Sequence, residues 1–468
     1  MVEDTTCTSV DEGEDILKGF PEEVLHSFVE FSKDIFSEFM FPLHWNATYS
    51  KEDYFDFLMH TARNRDSISH TTKRYGFDRE KAPAGDTVLY HLQRLDMETV
   101  EELYMKANLK ILEFVQEKGI FRKMDVQLAV DFVGVEYYGE YTEWVHKMYI
   151  DGEWMRMFRW IEVSLVDEDQ KYMIYVRPVP ASYDKRELLH SVLEHVYTFC
   201  DIKNGVIYLD REFFNVRYIN TLDEFCSAHH SFWLMPAKET SRVKTYLGEE
   251  GIYPEYTMHN KWREEASFTL VVALNDKGNL RPFATNLCVE TKEEFVTHYN
   301  EKWKKITDEN GDLLPLIVIL RRLFDIYRRR WQVETGNRCV KHPFLITTSS
   351  ANMSTRDYLM RFAFLSCFSW MAINTHLFNE FGPSYWVTGR TFEELLCTKT
   401  IVPERLKRCF VKAPKSMKPF PKDPKSSSSP LRKLLYEGID NESELVHEGP
   451  HTVELVSKGT QTEPIPRT

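Results

Sequence analysis

The stretch Val126-Gln-Leu-Ala-Val-Asp-Phe-Val133 marks the point where the residue pattern changes from helical to strand-like. Its apolar residues are typical of a buried strand, and Asp131 stands inside the run. Acids are seldom buried unless they are paired or bind a metal. The alternative for Asp131 is a salt-bridge partner or a polar strand end. The stretch therefore predicts one strand of a central sheet and one candidate functional acid.

The pattern that follows predicts an α/β fold. Trp154–Val166 and Lys171–Val179 read as two more strands, and Lys185–Phe199 as an amphipathic helix. A short buried strand then ends in a second acid, in Gly205-Val-Ile-Tyr-Leu-Asp210. This β-β-β-α-β order favours a mixed sheet covered by helices. The β-rich residues 232–290 are interpreted as an insertion.

Composition divides the chain into three parts. Residues 1–120 read as a helical N-terminal domain and a candidate for DNA binding, and Ser67–Leu95 is either a helix-turn-helix or an ordinary helical pair. Residues 121–411 form the predicted catalytic domain. Residues 412–468 are rich in Pro, Lys and Ser, which predicts a disordered tail.

A second informative stretch is Tyr327-Arg-Arg-Arg-Trp-Gln-Val-Glu334, followed by Lys341. On a helix, Tyr327, Arg330, Glu334 and Lys341 would lie within about 60° of one another, at about 100° per residue. A carboxylate on that face can hold a divalent metal, and the cations can hold phosphate. The net charge of −13 argues at first against a nucleic-acid partner. Residues 321–341 nevertheless hold seven Lys or Arg against two acids, so the local sign is positive.

Phosphodiester chemistry with two metal ions requires carboxylates that converge from separate elements. Asp131 in a first strand, Asp210 at the end of a later strand and Glu334 on a helix supply such a set. A similar segment, Tyr299–Ile306, has Ile306 where the acid is needed, so Glu334 is preferred. Gly336 costs about 1 kcal/mol in a helix, and a break there would move Lys341 off the common face.

The pattern resembles the DDE transposases of bacterial and archaeal insertion sequences, in the group marked by the Y-(2)-R-(3)-E-(6)-K signature. All four signature positions are met, by Tyr327, Arg330, Glu334 and Lys341. The surroundings of the acids are also similar, in Ala129-Val-Asp131-Phe, Leu209-Asp210-Arg-Glu-Phe-Phe and Arg330-Trp-Gln-Val-Glu334.

The resemblance implies an RNase H-like catalytic core that performs cut-and-paste transposition by DNA strand cleavage and strand transfer at terminal inverted repeats. It implies that Asp131, Asp210 and Glu334 bind two Mg²⁺ ions, for which Mn²⁺ can substitute. Double-stranded DNA, as transposon ends and target, and a homodimer in a synaptic complex are the implied partners. The alternatives are a domesticated DNA-binding protein that no longer cuts, and a nuclease without strand transfer.

The same resemblance assigns DNA phosphate contacts to Tyr327, Arg330 and Lys341. Trp331 and Trp303 are candidates for stacking on a flipped base, and core tryptophans are the alternative.

Other features narrow the setting. The eight cysteines contain no C-x-x-C pair, which favours free thiols in a reducing compartment. The start of the chain has no apolar secretory core, and the apolar run Phe362–Ile373 is too short to span a bilayer. These features predict a cytoplasmic, nucleoid-associated protein without a membrane partner.

Overall fold

The computed structural model of the chain describes most of residues 22–413. The described residues are 22–75, 82–118, 127–166, 171–200, 202, 205–275, 277–287, 289–302, 316, 318–320, 323, 327, 340–397 and 410–413. They lie within one compact unit, Met1–Lys422. The predicted tail lies outside them except for residues 412–413, and so do Arg330, Trp331, Glu334 and Trp303.

The sheet contains the predicted strands with similar bounds, and it contains further strands beside them. They are β1 Gln127–Glu136, β2 Val145–Ile150, β3 Glu153–Val166, β4 Lys171–Val179, β5 Val206–Leu209, β6 Phe232–Pro236, β7 Gly251–His259, β8 Glu265–Leu274 and β9 Leu280–Thr285. A separate short pair joins β10 Trp386–Val387 to β11 Phe410–Val411. In the large sheet the order is β2-β3-β1-β5-β6-β9-β8-β7, with β4 also paired to β3. The β1–β5 and β5–β6 pairs are parallel, and the other pairs are antiparallel.

The helices are α1 Glu22–Phe39, α2 Lys51–Asn64, α3 Ile68–Tyr75, α4 Gly85–Gln93, α5 Met97–Glu117, α6 Lys185–Cys200, α7 Val216–Ala228, α8 Ser241–Lys244, α9 Lys292–Lys302, α10 Met353–Phe381 and α11 Gly389–Cys397. Residues 316, 318–320, 323 and 327 are also helical, and Val340–Phe344 forms a π-helix. Among the described residues, no helix is long and apolar enough to cross a membrane.

Two expectations are refined by this topology. The strands of residues 232–290 extend the central sheet, because β6 pairs with β5 and carries β9, β8 and β7 beyond it. The strand β2 has no counterpart in the expected β-β-β-α-β order. It is an edge strand with exposed Lys147 and Tyr149, so its sequence lacks the continuous apolar run of its buried neighbours.

The N-terminal helices share the hydrophobic core of the sheet. The Phe36 ring lies 5.3 Å from that of Phe362, and Phe39 stacks on Tyr358 at 4.4 Å, so α1 packs directly on α10. The helices α3 and α4 fall within the predicted helix-turn-helix, of which residues 76–81 lie outside the described part.

A buried ion cluster ties α5 and α10 to the sheet. The Arg361 Nε atom lies 2.8 Å from a carboxylate oxygen of Asp357, and its Nη2 atom contacts Glu101 of α5. The indole of Trp160 on β3 donates to Asp357 at 2.9 Å. Asp357 is fully buried and Arg361 is 1% exposed. Since an unpaired charge in such a position is strongly destabilising, the cluster makes the contact between these elements specific.

A second buried carboxyl lies on α11. Glu393 is 1% exposed, and its Oε1 atom has no hydrogen-bond partner among the residues that the structure describes. Burial raises the pKa of Glu393 to about 8, and Arg63, Arg390 and Arg65 partly oppose that rise. Its neighbour Glu394 is half-exposed and lies 2.7 Å from Arg63 of α2.

The raised pKa of Glu393 predicts a stability that depends on pH. The folded protein binds this proton more tightly than the unfolded chain does, so stability is lost as pH rises from about 4.5 to about 8. The slope is at most about 1.4 kcal/mol per pH unit. Urea unfolding of Glu393→Gln should show a smaller loss across this window, since the amide mimics the neutral acid. Glu153→Gln, an exposed acid at the start of β3, is the matched control and should keep the wild-type slope. An unchanged slope in Glu393→Gln would refute the assignment.

Candidate active site

Two of the predicted acids lie side by side at the centre of the sheet. The parallel register runs from Gln127 opposite Val206 to Val130 opposite Leu209. Asp131 and Asp210 directly follow the last pair. Neighbouring strands are about 4.8 Å apart, and residues at the same register position share a face. The fold therefore brings the two carboxylates together on one face, and both are half-buried.

The backbone around each acid places its carboxylate where the β1–β5 pairing ends, and this part of the sheet is called the edge below. The Asp131 Oδ1 atom accepts a hydrogen bond of 2.8 Å from the next amide, that of Phe132. Asp210 ends β5 and precedes the 3-10 turn Arg211–Phe213, and its side chain makes no capping hydrogen bond to that turn. The strand thus delivers Asp210 to its end without using its carboxylate as a cap.

The residues that follow the two acids pack together on the opposite face. The Phe132 ring stacks on Phe213 with centroids 4.8 Å apart and planes inclined by 6°. The Arg159 guanidinium lies 4.2 Å from the Phe132 ring centroid, and its Nη2 atom lies 2.7 Å from Glu212. This stack joins the chain after Asp131 to the chain after Asp210, which restrains the distance between the two carboxylates.

Cations gather around Glu212, two residues after Asp210. Lys185 at the start of α6 is half-buried, and its pKa is lowered by burial and then by the charge of Lys238, while Glu212 raises it. Arg217 and Arg159 lower it further. Lys238 follows the end of β6, the strand beside β5. Lys185 and Lys238 therefore add positive charge at this edge, and such charge can attract phosphate.

Tyr327 is one of the described residues of the predicted helix that carries the Y-(2)-R-(3)-E-(6)-K signature. Its side chain is 3% exposed, and its hydroxyl donates to the Leu209 carbonyl at 3.0 Å. Its ring meets Phe283 edge-on at 5.4 Å. The Tyr327 hydroxyl thus contacts the residue that precedes Asp210. This contact favours a structural role for Tyr327, in which it fixes its helix on β5. Lys341 lies in the π-helix Val340–Phe344, and Gly336 lies outside the described residues.

Glu162 is a further acid that the sequence pattern did not indicate. It pairs directly with Asp131 across the β1–β3 ladder and is fully buried. Lys171 lies 3.0 Å from its carboxylate. Because this ammonium already neutralises Glu162, we do not count it among the metal ligands. Glu162 lies in the sequence of β3 like any other strand residue, so no local sequence pattern distinguishes it from an acid without a function.

Trp262 is an exposed aromatic residue near the cations around Lys185. It lies in the turn between β7 and β8 and is 61% exposed. The Lys261 ammonium lies 4.3 Å from its ring centroid, and the Arg217 guanidinium lies 5.0 Å from it. Glu264 in the same turn contacts Arg217 at 3.2 Å, which anchors the turn on α7.

The donor set is suitable for a hard divalent cation. Carboxylate oxygens are the ligands that Mg²⁺ prefers, and Asp131 and Asp210 provide a pair on one face. Within the described residues, no group of three or more His, Cys, Asp or Glu side chains could hold a metal ion. Glu334, the third predicted ligand, lies outside those residues.

The match to a family model shows to which protein family the chain belongs. The model for the transposase DDE domain matches residues 124–365, which are more than half of the chain. The chain belongs to this DDE transposase family. Membership implies a DNA-cleaving and DNA-transferring enzyme, and the matched range spans β1 to the middle of α10, including both aspartates.

Several solved structures show a distant likeness to this transposase. The cryo-EM structure of the piggyBac transposase synaptic complex with hairpin DNA has 13% identity and a TM-score of 0.47, over 94% of this chain and 85% of that one. The NurA nuclease from Sulfolobus solfataricus has 9% identity and a TM-score of 0.24, over 52% and 98%. Ciona intestinalis Endonuclease V with DNA has 11% identity and a TM-score of 0.22, over 50% and 99%. No curated protein matched the chain.

The buried hydroxyl of Tyr327 predicts a specific effect of Tyr327→Phe. The ring contact with Phe283 is kept and the hydrogen bond to Leu209 is lost, so the free energy of unfolding should fall by about 1 kcal/mol. The salt dependence of DNA affinity should stay unchanged. A phosphate contact by this hydroxyl would instead weaken DNA binding. Urea unfolding and DNA titrations measure the two effects, with the exposed Tyr149→Phe as control.

Proposed function

We propose that the protein is the transposase of an insertion sequence, which cuts and joins DNA at terminal inverted repeats. The observation that supports this most directly is the position of Asp131 and Asp210 directly after the last paired residues of two parallel strands, in a chain of the DDE transposase family. Glu334 completes the carboxylate set, and Tyr327, Arg330, Glu334 and Lys341 supply the Y-(2)-R-(3)-E-(6)-K signature.

Asp131, Asp210 and Glu334 would hold two Mg²⁺ ions, for which Mn²⁺ can substitute. When bound, such ions favour attack on phosphorus and stabilise the leaving oxygen. The acidic side chains serve to bind these ions and to orient them toward the DNA phosphate. The Phe132–Phe213 stack and the ion pair of Arg159 with Glu212 keep the strand ends in place, so little reorganisation is needed when DNA arrives.

The reaction proceeds by two kinds of phosphoryl transfer. In the first, a water oxygen attacks the phosphorus at the transposon end, and the bond to the 3′ oxygen breaks. The products are a 5′ phosphate and a 3′ hydroxyl. In the second, that 3′ hydroxyl attacks a phosphodiester of the opposite strand and closes a hairpin. A water then hydrolyses the hairpin, and the regenerated 3′ hydroxyl attacks a phosphodiester of target DNA. Each transfer exchanges one P–O bond for another, so no nucleotide cofactor is needed.

The DNA backbone would approach along the cationic edge near Asp210. Lys185 and Lys238 flank that edge, and Arg330 and Lys341 are proposed to contact phosphates near the cut. Two transposon ends must be handled together, which favours a homodimer in the synaptic complex.

Replacement of the acids tests the catalytic assignment. Asp131→Ala, Asp210→Ala and Glu334→Ala should each lower Mg²⁺-dependent cleavage of a cognate end by at least about 10³-fold, because the carboxylate set is lost. DNA affinity should stay within about threefold, since other cations bind the backbone. Glu224→Ala, an exposed acid of α7, is the control and should cut normally.

The products separate this function from its alternatives. Cleavage retained in any one of the three variants would remove that residue from the set. A wild-type protein that binds DNA without cutting would be a DNA-binding protein, and one that cuts without joining the end to target DNA would be a nuclease.

Trp262 is proposed to stack on a DNA base, since it is exposed and lies between two cations beside this edge. Such stacking contributes about 1–3 kcal/mol per base. Trp262→Ala should therefore lower the affinity for a cognate end about tenfold or more, while Trp262→Phe should keep part of it. Trp45→Ala is a matched control because Trp45 is 89% exposed in the segment between α1 and α2. Equal losses in the Trp45 and Trp262 variants would contradict the assignment.

A further inference from the structure

A cavity of about 730 Å³ opens where three parts of the chain meet. It lies between the end of β1, the segment that joins the π-helix to α10, and the start of α10. Ser67, which directly precedes α3, closes one side through a parallel bridge to Thr347. Residues that line the cavity include Val135, Tyr137, Trp160, Thr347, Ser349 and Arg356.

Arg356 is a buried cation without a carboxylate partner among the described residues. It is 4% exposed. Its Nε atom donates to the Ser350 carbonyl at 2.5 Å and its Nη2 atom to the Thr348 carbonyl at 3.0 Å. Both acceptors are neutral, so the charge is not compensated. Burial lowers the pKa of Arg356 to about 10, as expected for a guanidinium held away from water and from anions.

The guanidinium is oriented by aromatic rings. Its carbon lies 4.3 Å from the centroid of Phe158 and 4.8 Å from that of Tyr137. The Nη1 atom donates to none of the described residues, although a guanidinium has five N–H donors. Glu136 is the acid in the lining, but it is exposed and accepts a hydrogen bond from the Tyr138 hydroxyl. The cavity therefore presents a fixed cation with unused donor capacity.

The cavity lies on the face of the sheet that carries Asp131. Val133 pairs with Trp160 on β3, so Asp131, Val133 and Val135 share the face of Trp160. Val135 lies four residues beyond Asp131, which is about 13 Å at about 3.3 Å per residue. A DNA strand held at the two aspartates can reach this distance within a few nucleotides.

We propose that this cavity binds a backbone phosphate of the DNA strand that is cut at Asp131 and Asp210, with Arg356 as the donor. The inference rests on the proposed function. A phosphodiester oxygen would use the free donors of Arg356 and the hydroxyls of Thr347 and Ser349. The neighbouring sugar would pack on the apolar and aromatic wall.

The first test is the salt dependence of binding to a cognate end, measured in EDTA so that no cleavage occurs. Loss of one phosphate contact should lower the slope of log affinity against log salt by about 0.9. Arg356→Gln should show this change and bind about tenfold more weakly, while Arg356→Lys should keep the slope because it keeps the charge. Circular dichroism melts establish that each variant is folded.

A second pair of variants leaves Arg356 in place. Ser349 is exposed at the cavity, so substitution there should not disturb the core. Ser349→Glu adds a carboxylate that would pair with the guanidinium and repel phosphate, and it should weaken DNA binding about tenfold. Ser349→Gln has the same size without the charge and should bind like the wild type. This pair of variants tests whether the cavity binds a phosphate even if Arg356→Gln fails to fold.

A single neutral methylphosphonate placed along the DNA end identifies the phosphate. At one position along the DNA, the loss of binding free energy caused by the methylphosphonate and the loss caused by Arg356→Gln should not add, because both changes remove the same contact. Additive losses at every position, or an unchanged slope in Arg356→Gln with normal wild-type binding, would overturn this inference and leave the proposed function intact. A wild-type protein that binds no DNA would overturn both.

Free ligands distinguish the source of the phosphate. Inorganic phosphate and dATP should raise the melting temperature little. A large rise that is lost in Arg356→Gln, with DNA binding unaffected, would assign the cavity to a free nucleotide or phosphate and overturn the DNA assignment.

Discussion

The parallel pairing of β1 with β5 is the constraint on which the site depends. It places Asp131 and Asp210 at neighbouring positions, and a slip of one residue would turn Asp131 to the opposite face. The contacts around it rely on the same register. The Phe132–Phe213 stack lies behind the acids, and the Tyr327 hydroxyl reaches Leu209 just before the second one.

Both faces of the sheet reinforce this register. On one face, the buried cluster of Asp357, Arg361 and Trp160 joins α10 to β3, and Glu101 extends it to α5. On the other, the ion pair of Arg159 with Glu212 joins β3 to the turn after Asp210. Since separating either charged pair would leave a poorly solvated ion, these contacts favour one arrangement of the sheet and its helices. Arg356, near the first cluster, has no such partner among the described residues, and this makes it a candidate for binding an anion.

Local periodicity predicted the elements that are buried or strongly amphipathic. The strand Lys171–Val179 was predicted with the bounds that the structure shows, and α6 differs by one residue at its end. The edge strand β2 was not predicted, because its exposed residues interrupt the apolar pattern. The strands of residues 232–290 were predicted, but not their place in the central sheet. That place depends on the β5–β6 pairing and not on composition. Trp262 was likewise not singled out, since nothing in its local pattern distinguishes an exposed tryptophan from a buried one.

The amino-acid sequence by itself determined that Asp131 stands in a strand, that Asp210 follows one, and the family to which the chain belongs. These features rest on residue type and spacing, which local chemistry constrains. Only the tertiary structure decided that β1 and β5 are neighbours, that Glu162 is neutralised by Lys171, and that Arg356 is buried with no carboxylate partner in the described part of the chain. The physical reason is that each of these facts depends on which residues are close together in space. Strand pairing and side-chain packing set such contacts, and no local period in the chain encodes them.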